Sequence, residues 1–173
     1  MPEELTVDPV LRMRSRFWRT GEDVLHIETW IDHGGGVTAH VHPVLEERFE
    51  VLEGRPEFLA GRRWTPYEPG ATVLVPPGTR HAFRNRGEET ARIVCHATPP
   101  QTLQEFLEDA AALSRAGAIT RRALPRNLDG LLRAAALAHK HRDMVTFLAP
   151  LIQRVVIPPL ARAAERRSPA QSG

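Results

Sequence analysis

Residues 34–54 read GGGVTAHVHPVLEERFEVLEG. His40 and His42 stand two apart on a segment stopped by Pro43. Alternate residues of an extended chain share a face, so both imidazoles can point the same way and meet one ion. Glu47 follows on the next strand. Facing inward, it takes Phe49 and Val51 with it and leaves Arg48 and Glu50 outside, the pattern of a half-buried strand. A second stretch, residues 70–85, reads GATVLVPPGTRHAFRN. Its Pro76-Pro77-Gly78 turn sends the next strand back, bringing His81 toward the same interior.

Outward from these stretches the chain continues as short strands broken by turn residues. Val24 to Ile31 runs into the Gly34-Gly35-Gly36 cluster, and Thr38 to Val41 is a short extended piece. Arg48 to Leu52 closes at Gly54. A hairpin pairs Glu57 to Leu59 with Arg63 to Tyr67 through Ala60-Gly61. Ala71 to Val75, Arg80 to Arg84 and Arg92 to Ala97 follow. Strands with turn signals every ~8–12 residues predict an all-β sandwich or barrel.

Beyond Pro100 the period changes. Thr102 and Glu105 form a capping-box pattern, and Leu103, Phe106, Leu107, Ala110 and Leu113 recur at helical spacing up to Gly117. A second helix is expected from Leu128 to His141. A third is expected from Met144 to Val156, kinked at Pro150 and ended by Pro158-Pro159. The terminal SPAQSG reads as disordered.

The 173 residues, 42% apolar and 25% charged, have globular composition. No uncharged apolar run is long enough to span a membrane. The start, MPEELTVDPVLRMR, lacks the positive charge and apolar core of an export signal. A single cysteine, Cys95, excludes a disulfide framework. A cytoplasmic protein is the expectation. Residues 1–100 carry 15 acids against 12 arginines, and residues 101–173 carry 6 acids against 10 arginines and Lys140. The tail's arginines are interleaved with alanine and leucine and lack aromatic partners, so no nucleic-acid binding is expected.

The spacing of the two stretches resembles the cupin superfamily. Gly34, His40-x-His42, Glu47 and Gly54 match its first motif; Gly70, Pro76-x-Gly78, His81 and Asn85 match its second. The resemblance implies an all-β cupin jelly-roll β-barrel (double-stranded β-helix) over residues 17–98. An N-terminal arm, 1–16, would precede it; a helical extension, 99–167, and a disordered tail, 168–173, would follow. It implies one divalent transition metal ion per chain, Fe, Mn, Ni, Cu or Zn, held by His40, His42, Glu47 and His81. Glu46 is the alternative carboxylate; the six-residue spacing to Gly54 favours Glu47. Asn85 and the motif glycines are expected to be structural.

Four protein ligands on an octahedral ion leave two positions for a small molecule or dioxygen. The expected function is a metal-dependent enzyme acting on a small oxygenated or aromatic molecule. Dioxygenase (oxidoreductase) chemistry comes first and isomerase or cyclase chemistry close behind. The alternative is a non-catalytic, metal-containing module that binds or senses a small ligand. A homodimer is the family-level expectation.

Phe49, Val51 and Phe83 share parity with Glu47 and His81 and are candidates for pocket lining, though core packing explains them equally. His26 and His96 fall on the outward parity of their strands. His33 sits in a glycine turn and is expected to be solvated. His139 and His141 read as partners of a helix dipole. Cys95 reads as a small core residue. Tyr67 is a candidate proton donor but lies near a turn after Pro66, and Trp64 is a weaker candidate for the pocket.

Overall fold

The computed structural model describes residues 5–60, 62–120, 124–146 and 150–166. Among the described residues nine strands come first: β1 Thr6–Asp8, β2 Met13–Thr20, β3 Val24–Ile31, β4 Glu46–Glu53, β5 Glu57–Ala60, β6 Arg63–Pro66, β7 Thr72–Val75, β8 His81–Arg84 and β9 Ala91–Thr98. Three helices follow: α1 Leu103–Arg115, α2 Leu128–Lys140 and α3 Pro150–Glu165. The strands form two antiparallel sheets, one of six in the order β1-β2-β3-β9-β4-β7 and one of three in the order β6-β5-β8. The terminal segment 168–173 lies outside the described residues.

Alternation sets which face each strand buries. In β4, Glu47, Phe49 and Val51 are buried while Glu46, Arg48 and Glu50 are exposed. Leu25, Ile27 and Ile31 of β3 and Ile93, Cys95 and Ala97 of β9 face the same interior. The two sheets meet through aromatic rings: Phe49 of β4 lies 5.2 Å from Phe58 of β5 and 5.8 Å from Phe83 of β8. Tyr67 packs edge-on against Phe58 at 5.7 Å.

The sheet begins ahead of residue 17, because β1 and the first half of β2 lie in the segment expected to be an arm. Arginines disguise β2. Its inward residues Met13, Ser15 and Phe17 alternate with Arg14, Arg16 and Trp18 on the outer face, where Arg14 pairs with Asp32 and Arg16 with Glu28. Glu28 is buried on that outer face between the guanidinium groups of Arg16 and Arg92.

Thr38 to Val41 lies among isolated bridges, Gly36 with Arg84 and His40 with His81, instead of forming a full strand. Gly36 has φ +143°, and a Cβ there would sit 2.3 Å from the Phe83 carbonyl oxygen, so only glycine lets the two backbones approach. Asn85 is buried and fixes the next turn. Its Nδ2 donates to the Ile31 and Glu89 carbonyls at 2.8 and 2.7 Å, and its Oδ1 accepts from Gly87 N–H.

In the helices three expectations change. The Thr102 side chain does not cap α1; its Oγ1 instead meets His141 Nδ1 at 3.0 Å. Residues 144–146 are not helical: Thr146 is recruited into a bridge with Val41, and Pro150 stands at the start of α3, where its missing N–H costs nothing. Pro158 and Pro159 lie inside α3 and do not end it. α3 packs against α2.

Candidate metal centre

Three elements bring the four candidate ligands together. The bridge between His40 and His81 sets their backbones side by side, with N–H to carbonyl bonds of 3.0 Å in both directions. The Pro76-Pro77-Gly78 turn is tied to the first motif by Gly78 N–H donating to the His42 carbonyl at 2.8 Å. Strand β4 supplies Glu47 from its buried face, while Glu46 is exposed.

One donor atom from each of His40, His42, Glu47 and His81 lies within 4.8 Å of the other three. Glu47 Oε2 is 2.7 Å from His81 Nε2 and 3.7 Å from His42 Nε2. Ring centroids of His40 lie 4.8 Å from His42 and 4.2 Å from His81. His42, Glu47 and His81 are buried, and His40 is half-buried.

The far side of each imidazole is fixed. Nδ1 of His40 bonds the Thr38 carbonyl at 2.9 Å, Nδ1 of His42 the Met144 carbonyl at 2.8 Å and Nδ1 of His81 the Thr79 carbonyl at 2.9 Å. A carbonyl only accepts, so each Nδ1 carries a proton and the ligating lone pair of a neutral ring falls on Nε2. Glu47 is held similarly: Cys95 Sγ lies 3.7 Å from Oε1, leaving Oε2 toward the histidines.

Charge follows from this packing. Burial, then the neighbouring His81 and His42, pulls His40 down to about 4. Burial also lowers His42. For His81, burial favours the neutral ring, but the Glu47 carboxylate against Nε2 turns the net shift upward. Burial favours protonated Glu47, yet His81 and then His42 hold it below the usual carboxylate range. The Cys95 thiol is pushed well up by burial and by Glu47.

These residues fit a divalent metal ion. Glu47 Oε2 and His81 Nε2 are buried and have no partner in hydrogen-bond geometry despite their close approach. Orphaned buried polar atoms are costly unless an ion satisfies them. Three imidazole nitrogens and one carboxylate oxygen suit Fe, Mn, Ni, Cu or Zn, and anchored Nδ1 atoms are the outer support such ligands need.

The other candidates lie elsewhere. Phe49 is close to the centre, 6.4 Å ring to ring from His81. Phe83 packs on Phe49 and Phe58, and Val51 is fully buried in the same apolar core. Phe58, not singled out in the sequence, completes this aromatic layer. Trp64 lies under the Arg84 guanidinium at 3.8 Å. His26 and His96 pair across β3 and β9 on the outer face, Nδ1 to Nδ1 at 2.8 Å, with Trp18 stacked on His26. His33 bonds the Gly87 carbonyl in its turn. His141 departs from the dipole expectation: it is buried and bonded through both ring nitrogens, to Thr102 and Asp109. Sequence reasoning does not find the Met144 carbonyl or Cys95 as supports of the site. A backbone carbonyl has no residue-type signature, whereas Cys95 shares an inward register with Glu47's strand, a signal that could have marked it.

Comparison with known proteins agrees with this fold. A family model described as "Cupin domain" matches residues 27–97. A polyketide synthase protein, CurC, of Streptomyces cyaneus is 38% identical over 66 residues, 38% of this chain and 43% of that protein. Protein SchB of Streptomyces halstedii is 36% identical over 66 residues, 38% of this chain and 48% of that protein. The chain thus spans less than half the length of these two curated relatives. Among solved structures, KdgF from Halomonas sp. superposes with TM-score 0.53 at 17% identity, covering 58% of this chain and 90% of that one. An RmlC-like cupin from Shewanella frigidimarina gives 0.51 at 16% identity, covering 58% and 86%. At such identities these two show the fold alone. Among the described residues no helix is long and apolar enough to cross a membrane.

Proposed function

The chain belongs to the cupin superfamily through residues 27–97, and from that premise we propose a metal-dependent enzyme acting on a small polyoxygenated molecule. His40, His42, Glu47 and His81 are its proposed ligands. The observation that carries this is the convergence of four donor atoms within 4.8 Å, with every imidazole turned by a carbonyl on its Nδ1. When bound, a divalent ion supplies Lewis-acid polarisation of a substrate carbonyl or phenolate and, if redox-active, activation of dioxygen.

The chain's own residues do the rest. The carbonyls of Thr38, Met144 and Thr79 keep the three rings from rotating, and Cys95 keeps Glu47 turned inward. Phe49, beside His81 and backed by Phe58 and Phe83, is an apolar wall that excludes water from that side. His40, less buried than its partners, marks the side from which a substrate enters.

A substrate with adjacent carbonyl or phenolic oxygens would suit an ion held by His40, His42, Glu47 and His81, and the likeness to a protein named polyketide synthase supports that class. Isomerisation or cyclisation stands in this proposal beside the dioxygenation expected from the ligand set. Pairing of two copies belongs to the same proposal, and light scattering of the purified chain measures it.

Elemental analysis of protein prepared without an affinity tag tests the centre. About one ion per chain is the expected result. A metal-free preparation that also refuses added Fe, Mn, Ni, Cu and Zn defeats the proposal. Oxygen uptake on phenolic and polyketone substrates, set against product formation without uptake, separates dioxygenase from isomerase or cyclase. Tight ligand binding with neither outcome identifies a sensing module.

A further inference from the structure

The helical extension reaches the metal centre through its backbone. Between α2 and α3, residues 141–146 run beside Val41, the residue separating two of the candidate ligands. Val41 N–H donates to the Thr146 carbonyl at 3.1 Å, and Thr146 N–H donates to the Val41 carbonyl at 2.9 Å. Two residues earlier, the Met144 carbonyl takes the Nδ1 proton of His42 at 2.8 Å. His40 and His81 each use a carbonyl two residues before themselves, from Thr38 and Thr79. His42 takes its own from 102 residues away.

The segment is pinned at its other end. His141 is buried, with Nδ1 3.0 Å from Thr102 Oγ1, Nε2 3.2 Å from Asp109 Oδ2 and the Phe106 ring edge-on at 5.5 Å. Its carbonyl accepts the N–H groups of Met144 at 3.0 Å and Val145 at 3.2 Å, closing the turn that presents the Met144 carbonyl. Met144 and Val145 themselves sit in the same apolar core as Phe49 and Phe83. A continuous path of named contacts therefore runs from α1, through His141 and Met144, to the ring of His42.

We infer that residues 141–146 are a strap that positions His42, holding its ring as the Nδ1–H tautomer with Nε2 toward the other ligands. Docking of the extension and binding of a metal ion are then coupled. The coupling rests on the proposed metal centre; the orientation of His42 in the metal-free protein does not. Outer supports of this kind fix ring orientation and raise ligand basicity, and losing one typically costs about 10–100-fold in metal affinity. By linkage, a metal ion that binds better with the strap docked tightens that docking by the same factor.

Full-length variants test this. Thr146→Pro removes the N–H given to Val41. His141→Ala removes the anchor, and Thr102→Val removes one of its two side-chain partners. Zinc is titrated into metal-free protein against a chromophoric chelator, and long-range proton–nitrogen NMR reads the histidine tautomers without metal. The expected result is an affinity loss of about 10–100-fold for Thr146→Pro and His141→Ala, and less for Thr102→Val. His42 should leave the Nδ1–H pattern while His81 keeps it. Zinc should also slow proteolysis within 141–146 in the wild type. Arg133→Ala, on the exposed face of α2, should change none of these.

Variants with native near-UV circular dichroism, wild-type zinc affinity and an unchanged His42 pattern overturn the inference. Should Thr146→Pro fail to fold, His141→Ala and Thr102→Val decide between the two outcomes. A wild type that refuses zinc and the other four metals defeats the proposed function, while the His42 spectrum still decides whether the strap positions the ring.

Discussion

The sheet region and the helical extension use the chain in opposite ways. In the sheets, function is local in sequence: two short stretches, 34–54 and 70–85, carry all four candidate ligands and the turns that aim them. In the extension, α1 and α2 read as ordinary amphipathic helices, and no side chain described there belongs to the ligand cluster. Yet the extension supplies the carbonyl that turns His42. A region without chemistry of its own can thus set the geometry of a site by backbone contact.

The sharpest way to break this contrast is to remove a ligand. His40→Ala and His81→Ala should each abolish measurable metal binding by the protein. His96→Ala, on the outer face and paired with His26, should leave metal binding at the wild-type level. Retention of the ion by either ligand variant, read by elemental analysis after dialysis, rules out the four-ligand centre.

Next in size are changes to the backbone frame that brings the stretches together. Gly36→Ala forces a Cβ to 2.3 Å from the Phe83 carbonyl oxygen at φ +143°. Overpacking and backbone strain together should cost about 3 kcal/mol or more in urea unfolding. Ile93→Ala, in the centre of the sheet core, should cost about 2–5 kcal/mol. Leu131→Ala on the exposed side of α2 should stay within about 0.5 kcal/mol. Equal losses for Ile93 and Leu131 would refute the assignment of the main core to the sheets.

Smaller effects probe Cys95. Its thiol is buried, and burial with the Glu47 charge pushes its ionisation well up. Alkylation of the folded protein at neutral pH should therefore be slow and become fast on unfolding. Prompt labelling of native protein contradicts the buried placement. Cys95→Ala should weaken metal binding by less than about 10-fold, because the 3.7 Å thiol contact to Oε1 is a weak support.

Much of the site is legible because strand geometry is a local code. The parity of Glu47, Phe49 and Val51 places them inward, and the structure buries all three while exposing Glu46. The same parity puts His26 and His96 outside. The alternation of β2 is hidden because arginines occupy its outer face, and a charged run resembles an exposed arm. The third helix starts later than its periodicity predicts because Thr146 bonds Val41, a pairing that helical spacing cannot express. Pro158 and Pro159 carry the signature of a helix end, but α3, packed against α2, runs past them.

By itself, the sequence placed the inward residues of β4 and β9 and brought three histidines and a glutamate toward one interior. Residue spacing along a strand fixes side-chain direction, with no need to know what lies opposite. Only the tertiary structure decided how those rings are held. The orienting groups are backbone carbonyls, present at every residue, and which one lies within 2.8 Å of His42 depends on where the chain has travelled 102 residues later. His141 shows the same division: its place near a helix end was readable, while its burial between Thr102 and Asp109 followed from the packing of α1 against α2.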